Sequence, residues 1–341
     1  MGESLSMGTE SNVKFLVTGA TGFIGSRLIT MLLAAGIAVV GAGEVASEVQ
    51  ERRRAALERA GTTVETGSIT DAEYCRSIVA GCSHVIHLAA VQHEMNVPRQ
   101  KFFDVNVEGT RNLLAASAAA GVQRFVYGST IGVYGDGGGQ VLDEDSPVKP
   151  LNDYGDSKLA AEKVVLEWSS RLPVAIVRIS ETYGPGDQRL LKLFRAMDRG
   201  RFMLVGNGLN RKQLVFVDDL AAGLLAAAEH PAAVGQIFLL AGLETLTTRD
   251  MLGHVAAALS KPAPARSLPM WPFVLAAFTM ETALRPLGIQ PPLHRRRLDF
   301  FRKSFVVSSR KAQSTIGYRP GTTFAAGARA TADWYRTEGL L

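Results

Sequence analysis

Cysteine is almost missing from this chain. Its 341 residues hold two, Cys75 and Cys82, which supply neither a disulfide framework nor the ligand spacing of a metal site. Both are expected to pack at a helix-to-strand junction, and no metal is expected. A clean membrane-spanning run is also lacking. The best candidate, Leu268 to Leu287, is broken by Pro269, Pro272, Glu281, Arg285 and Pro286, so it reads as an apolar pocket wall, with weak peripheral membrane contact as the lesser alternative. The first dozen residues, Met1 to Asn12, are small and polar without the apolar centre of a signal peptide. They read as a disordered lead-in, and the expected compartment is a reducing cytoplasm. The net charge is +5, yet no long basic tract carries it. Arg52-Arg53-Arg54 and Arg295-Arg296-Arg297 are short runs in amphipathic stretches, read as solvated helix faces, and a nucleic-acid partner is not expected. No internal repeat or low-complexity tract is visible.

What the chain does have is a rhythm of short apolar strands and amphipathic helices. Strands are expected at Lys14 to Thr18, Ile37 to Val40, Thr63 to Glu65, His84 to Leu88, Arg124 to Tyr127 and Pro173 to Arg178. Between them fall helices at Phe23 to Ala35, Glu48 to Ala60, Ala72 to Val79, Asp104 to Ala120 and Tyr154 to Ser170. Such alternation implies a parallel sheet covered on both faces. After Ile179 the rhythm breaks, although Leu214 to Val217, a helix over Asp218 to Ala228 and a strand at Ile237 to Leu240 look like a return to that sheet. From about Thr247 the chain reads as mostly helical. The fold class is therefore α/β, a Rossmann-type doubly wound parallel sheet with a smaller, mostly helical C-terminal substrate domain. The dinucleotide part is expected over 13–178 with 215–240, and the substrate part over 179–214 and 241–341.

Two motifs carry chemistry. Gly19, Gly22 and Gly25 stand in Gly19-Ala20-Thr21-Gly22-Phe23-Ile24-Gly25, after the first apolar strand and at the opening of a helix. Glycines there let backbone approach a pyrophosphate, and the helix start offers unpaired N–H groups and its positive dipole end. Downstream, Tyr154 and Lys158 lie four apart on a helix, on one face. A phenol ionises near pH 10, so a neighbouring ammonium is expected to lower that value and make Tyr154 a usable acid/base group.

The glycine spacing, together with His87-Leu88-Ala89-Ala90, Asn106-Val107-Glu108-Gly109-Thr110, Phe125 to Thr130, Tyr134-Gly135, and Arg178 through Tyr183-Gly184-Pro185-Gly186, resembles the extended short-chain dehydrogenase/reductase superfamily. The likeness spans roughly Val13 to Pro320. It implies an NAD(P)-dependent enzyme in which Tyr154 is the acid/base and Lys158 also holds the nicotinamide ribose. Thr130 steadies the substrate oxygen, with Ser129 as helper. Thr21, Phe23, Ile24, Ser68, Ile69, Leu88, Ala89, Ala90 and Asn106 would line the cofactor. Glu44, one step past the second strand, would bond the adenosine ribose and so favours NAD, with NADP not excluded. A homodimer through the helix bearing Tyr154 is also implied.

For the substrate two branches compete. Gly206-Asn207-Gly208, Phe216-Val217-Asp218-Asp219 and Ile316-Gly317-Tyr318-Arg319-Pro320 resemble the 3β-hydroxysteroid and sterol dehydrogenase-like group, which implies a secondary alcohol or ketone on a hydrophobic ring. The alternative is a 4-epimerase or dehydratase of a nucleotide-diphosphate sugar. In that branch an asparagine usually stands where this chain has Glu181, and a carboxylate there would repel a diphosphate. Lys212-Gln213 likewise replaces an Arg-Asp pair. Gln92, Glu181 and Gln213 are the expected substrate-facing residues. A dinucleotide-binding regulator without turnover is the alternative of another class.

Overall fold

Seven short strands, apolar on both faces, form one parallel sheet in the computed structural model, which describes residues 13–92, 97–264, 267–284 and 295–341. The first half alternates β1 (Lys14–Thr18), α1 (Phe23–Ala34), β2 (Ala38–Gly43), α2 (Glu48–Arg59), β3 (Val64–Thr66), α3 (Ala72–Val79) and β4 (His84–His87). There follow α4 (Arg99–Phe103), a π-helical stretch (Asp104–Gly109), α5 (Thr110–Ala119), β5 (Arg124–Thr130), β6 (Val141–Leu142), α6 (Asp153–Glu167) and β7 (Val174–Ile179). The sheet order is β3-β2-β1-β4-β5-β7 with Ile237–Leu240 at the far edge. Strand order reverses between β1 and β4, and in such sheets ligands bind at the carboxyl ends of the strands beside that reversal.

Past β7 come β8 (Thr182–Tyr183), α7 (Leu191–Asp198), β9 (Leu204–Val205), β10 (Arg211–Lys212), β11 (Val215–Phe216), α8 (Val217–Glu229) and β12 (Ile237–Leu240). The rest is β13 (Leu246–Thr247), α9 (Thr248–Ala258), β14 (Ser267–Leu268), α10 (Trp271–Leu284), α11 (Arg295–Arg302), β15 (Val306–Val307), α12 (Arg310–Thr315) and α13 (Phe324–Thr337).

One face of the sheet is covered by α1 and α8, whose Leu28, Ile29, Leu32, Leu220 and Leu224 are fully buried against Phe15, Val17 and Val126. The other face buries Cys75, Ile78, Leu113, Leu114, Val164 and Val165 of α3, α5 and α6. Each such leucine or valine contributes about 1.5–3 kcal/mol on burial. A separate cluster (Tyr183, Phe194, Met251, Val255, Phe324, Tyr335) joins α7, α9 and α13 beyond the sheet. Both cysteines are buried and free, in the packing role their surroundings implied.

Several expectations are corrected. The helix expected from Asp104 begins at Arg99, and its middle is a π-helix, which no apolar periodicity announces. The C-terminal part is mostly helical, as expected, with two-residue strands added: β10 pairs with β13, β14 with β9, and β15 with β6. Arg52 and Arg54 do sit on the outer face of α2 with Glu48, Glu51 and Glu58, but Arg53 does not. The lead-in Met1 to Asn12, positions 285–287 of the apolar run and the side chains of Arg295 to Arg297 lie outside the described residues. Among the described residues no helix is long and apolar enough to cross a membrane, and no cluster of metal-binding side chains occurs.

Candidate active site

The glycine turn closes on itself at the carboxyl end of β1. Gly19 has φ +72°, and a Cβ there would sit 2.8 Å from the Leu88 carbonyl carbon. A Cβ on Gly25 would lie 2.2 Å from the Gly19 carbonyl oxygen. No side chain caps α1, whose N-cap is Gly22, and its first turn holds no acidic residue. The N–H groups of Phe23 and Ile24 thus open the helix with no side-chain partner, which fits a diphosphate. Thr21 Oγ1 donates to the Glu44 carbonyl 2.9 Å away, joining the turn to the end of β2, where the Glu44 side chain is exposed. Ser68 hydrogen-bonds Thr70, and Ile69 is buried. Gly25→Val is expected to abolish NAD binding in calorimetry, since the added side chain must displace the Gly19 backbone; affinity within a few-fold of wild type would refute the turn's role.

The residue that sequence reasoning missed here is Arg53. From α2 it donates to the Thr21 carbonyl (3.2 Å) and to the Gly186 carbonyl (2.6 Å). The loop after β8 is thereby tied over the glycine turn, with Phe23 beneath it. Burial pulls the Arg53 pKa down, while Asp187 works against that.

Tyr154 and Lys158 stand on the first two turns of α6, whose start is capped by Asn152 accepting from Gly155 N–H. The half-buried Tyr154 phenol is hydrogen-bonded to Thr130 at the end of β5. Lys158 is buried, its Nζ donating to the Gly128 carbonyl at 2.7 Å and lying 4.1 Å from the centre of the Tyr127 ring. Burial drives Lys158 down to about 7, the Glu162 carboxylate holding against it. The expectation that lysine lowers the Tyr154 pKa is corrected. Burial pushes the phenol up to about 12, and what offsets it is the Thr130 hydrogen bond and the charge of Arg189, not Lys158. At neutral pH Tyr154 is therefore a phenol. Below that pKa its phenolate fraction grows about tenfold per pH unit, so alcohol oxidation is expected to accelerate as pH rises while ketone reduction stays flat. Opposite pH profiles in the two directions would contradict this.

Ser129 turns the other way along β5. Its hydroxyl is buried and donates to Glu162 at 2.5 Å. Asn106 is also a strut. The π-helical turn brings its amide to Val91, accepting from the N–H and donating to the carbonyl, and to Ser157 Oγ at 2.9 Å. A buried chain runs behind it: Thr18 to His87 (2.6 Å), His87 to Thr110 (3.0 Å), Thr110 to the Asn106 carbonyl (2.7 Å). Burial, then the charge of Lys158, drops His87 to about 3, so the imidazole is neutral. The Leu88 and Ala89 N–H groups donate to Thr18. Leu88, Ala89 and Ala90 are thus fixed beside the turn.

On the substrate side Gln92 is exposed. Glu181 pairs with the buried Lys212, both carboxylate oxygens 3.2 Å from Nζ, so its charge is neutralised rather than bare. Gln213 is spent on structure: it donates to the Gly242 carbonyl and accepts from Val307 N–H.

Residues 15–241 match the model of the NAD dependent epimerase/dehydratase family. The chain is 32% identical to a dTDP-glucose 4,6-dehydratase of Streptomyces griseus, over 94% of this chain and 93% of that one. It is 33% identical to a 3-beta-hydroxysteroid dehydrogenase of Mycolicibacterium neoaurum, over 74% and 71%. Its fold superposes on a dTDP-glucose 4,6-dehydratase from Streptomyces venezuelae solved with NAD and TYD bound (TM-score 0.77, 26% identity, 96% and 100% covered).

Proposed function

This chain belongs to the NAD-dependent epimerase/dehydratase family and is an enzyme that takes NAD, and from that premise we propose that it transfers a hydride between NAD and a secondary alcohol or its ketone on an apolar ring substrate. The observation that carries the reading is the meeting of Tyr154 with Thr130 at the end of β5, one helical turn from the buried Lys158. NAD, when bound, supplies the hydride acceptor. Thr130 orients the substrate oxygen by hydrogen bond, and Tyr154 takes the hydroxyl proton in oxidation or returns one in reduction. Lys158, able to exchange its Gly128 bond for a ribose hydroxyl, holds the nicotinamide end. The glycine turn and the start of α1 hold the diphosphate, and Glu44 the adenosine ribose.

Three features support the apolar substrate. Lys212 spends its charge on Glu181, Gln213 spends its amide on the backbone, and α10 is almost wholly apolar. A nucleotide-sugar 4-epimerase is the second reading, favoured by Arg189, whose side chain is 60% exposed and whose charge acts on Tyr154. With the purified protein, net NADH from 3β-hydroxysterols supports the first reading. Interconversion of UDP-sugar epimers without net NADH supports the second, and NAD binding with neither leaves a regulator. A homodimer through the α6 face goes with the proposal, and light scattering reads it.

A further inference from the structure

The buried ammonium of Lys158 meets two neutral groups, and both come from consecutive residues of β5. Its Nζ donates to the Gly128 carbonyl at 2.7 Å and stands 4.1 Å from the centre of the Tyr127 ring. The Glu162 carboxylate, one turn further along α6, is bonded to Arg178 and Ser129, and its pull on Lys158 is through charge alone. Burying an ammonium is costly unless something replaces its water. A ring face can do that, because its quadrupole attracts a cation placed over it, most strongly where water is excluded. Tyr127 is fully buried and packs among Ala161, Val164 and Val165 of α6, which hold the ring in place. Its hydroxyl lacks a hydrogen-bond partner of good geometry; Thr110, beside it, is engaged with His87 and the Asn106 carbonyl. What this residue gives the site is therefore its ring.

We propose that Tyr127 is a positioning residue for the reaction: its ring face carries the Lys158 ammonium and keeps it aimed at the nicotinamide ribose of bound NAD. This rests on the reading above that Lys158 holds that ribose. When a ribose hydroxyl takes an N–H from the Gly128 carbonyl, the ring is the contact that stays, because it answers the charge of the ammonium rather than any one N–H. Without the ring the ammonium would be left to Gly128, and each hydroxyl bond gained would be offset by a carbonyl bond lost. Two tyrosines thus divide the work: Tyr127 holds the cation, and Tyr154 moves the proton.

The test is calorimetric titration of the full chain with NAD and with ADP, which carries the adenosine and diphosphate but no nicotinamide ribose. Tyr127→Leu is expected to bind NAD about tenfold more weakly and ADP as before. Tyr127→Phe keeps the ring and is expected to bind NAD within about twofold of wild type. The leucine variant will melt lower in any case, since a large buried side chain is lost, but a purely structural role would weaken both ligands together or neither. In a Lys158→Met background, adding Tyr127→Leu is expected to cost no further NAD affinity. Wild-type NAD affinity in Tyr127→Leu, parallel losses of NAD and ADP, an equal loss in Tyr127→Phe, or an undiminished effect in the Lys158→Met background each overturns the proposal. Those results leave the ribose role of Lys158 standing if Lys158→Met itself weakens NAD; unchanged NAD affinity in Lys158→Met overturns both.

Discussion

Tyr154→Phe is expected to lower kcat by about 10²–10⁴-fold, the size of a lost general acid/base contribution, while NAD binds as before. The phenol lies at the end of the cleft away from the glycine turn, so its oxygen holds none of the phosphate contacts. Removing it leaves the ring, the Asn152 cap and the Lys158–Gly128 bond in place. Steady-state kinetics with calorimetric NAD titration separates the two effects. The variant's residual rate should also lose the rise with pH that the wild type shows in oxidation, because the group that titrates is gone. A merely structural tyrosine would instead lower stability and leave the pH profile alone. Near-normal kcat in the variant defeats the assignment.

Arg178→Ala is expected to destabilise the fold by about 3–5 kcal/mol, the cost of leaving one member of a buried ion pair alone. Arg178 and Glu162 are both almost fully buried and bonded at 2.8 and 3.1 Å. Arg178 also donates to Tyr134 Oη at 2.6 Å, and Ser129 donates to the same carboxylate. Burial by itself lowers the Arg178 pKa; the Glu162 carboxylate more than offsets it and raises the value overall. Without the guanidinium, Glu162 keeps Ser129 and the charge of Lys158 but loses its counter-ion. The double variant Arg178→Met/Glu162→Leu should recover most of the loss, since an apolar pair of similar volume is often neutral or better. Urea midpoints read both variants. A single variant as stable as wild type would show that the pair contributes little.

Much of the sheet was legible because its strands are short apolar runs buried on both faces, bounded by glycines and helix caps. The strand Ile237–Leu240 could be returned to the sheet for the same reason, and the structure pairs it with β7. The glycine turn was legible too, as its spacing follows from backbone contact rather than from any side chain. What escaped notice depends on tertiary approach. Nothing near Arg53 in the sequence says that it reaches Thr21 and Gly186, which are 32 and 133 residues away. Glu162 looked like any helix-face glutamate until β7 placed Arg178 against it. The π-helical turn needs only one extra residue in a helical pattern, below what periodicity can detect, yet it aims Asn106 at Val91 and Ser157. The i, i+4 spacing of Tyr154 and Lys158 put them on one face, but only the fold shows the ammonium turned to Gly128 and Arg189, rather than Lys158, favouring the Tyr154 phenolate.

The most direct measurement is a crystal structure of the full chain with NAD soaked in. The diphosphate should lie at the N–H groups that open α1, the nicotinamide ribose within hydrogen-bonding reach of Lys158 Nζ, and the Tyr154 oxygen beside the nicotinamide carbon that receives hydride. A dinucleotide lying elsewhere, or a Tyr154 hydroxyl pointing out of that cleft, would contradict the account.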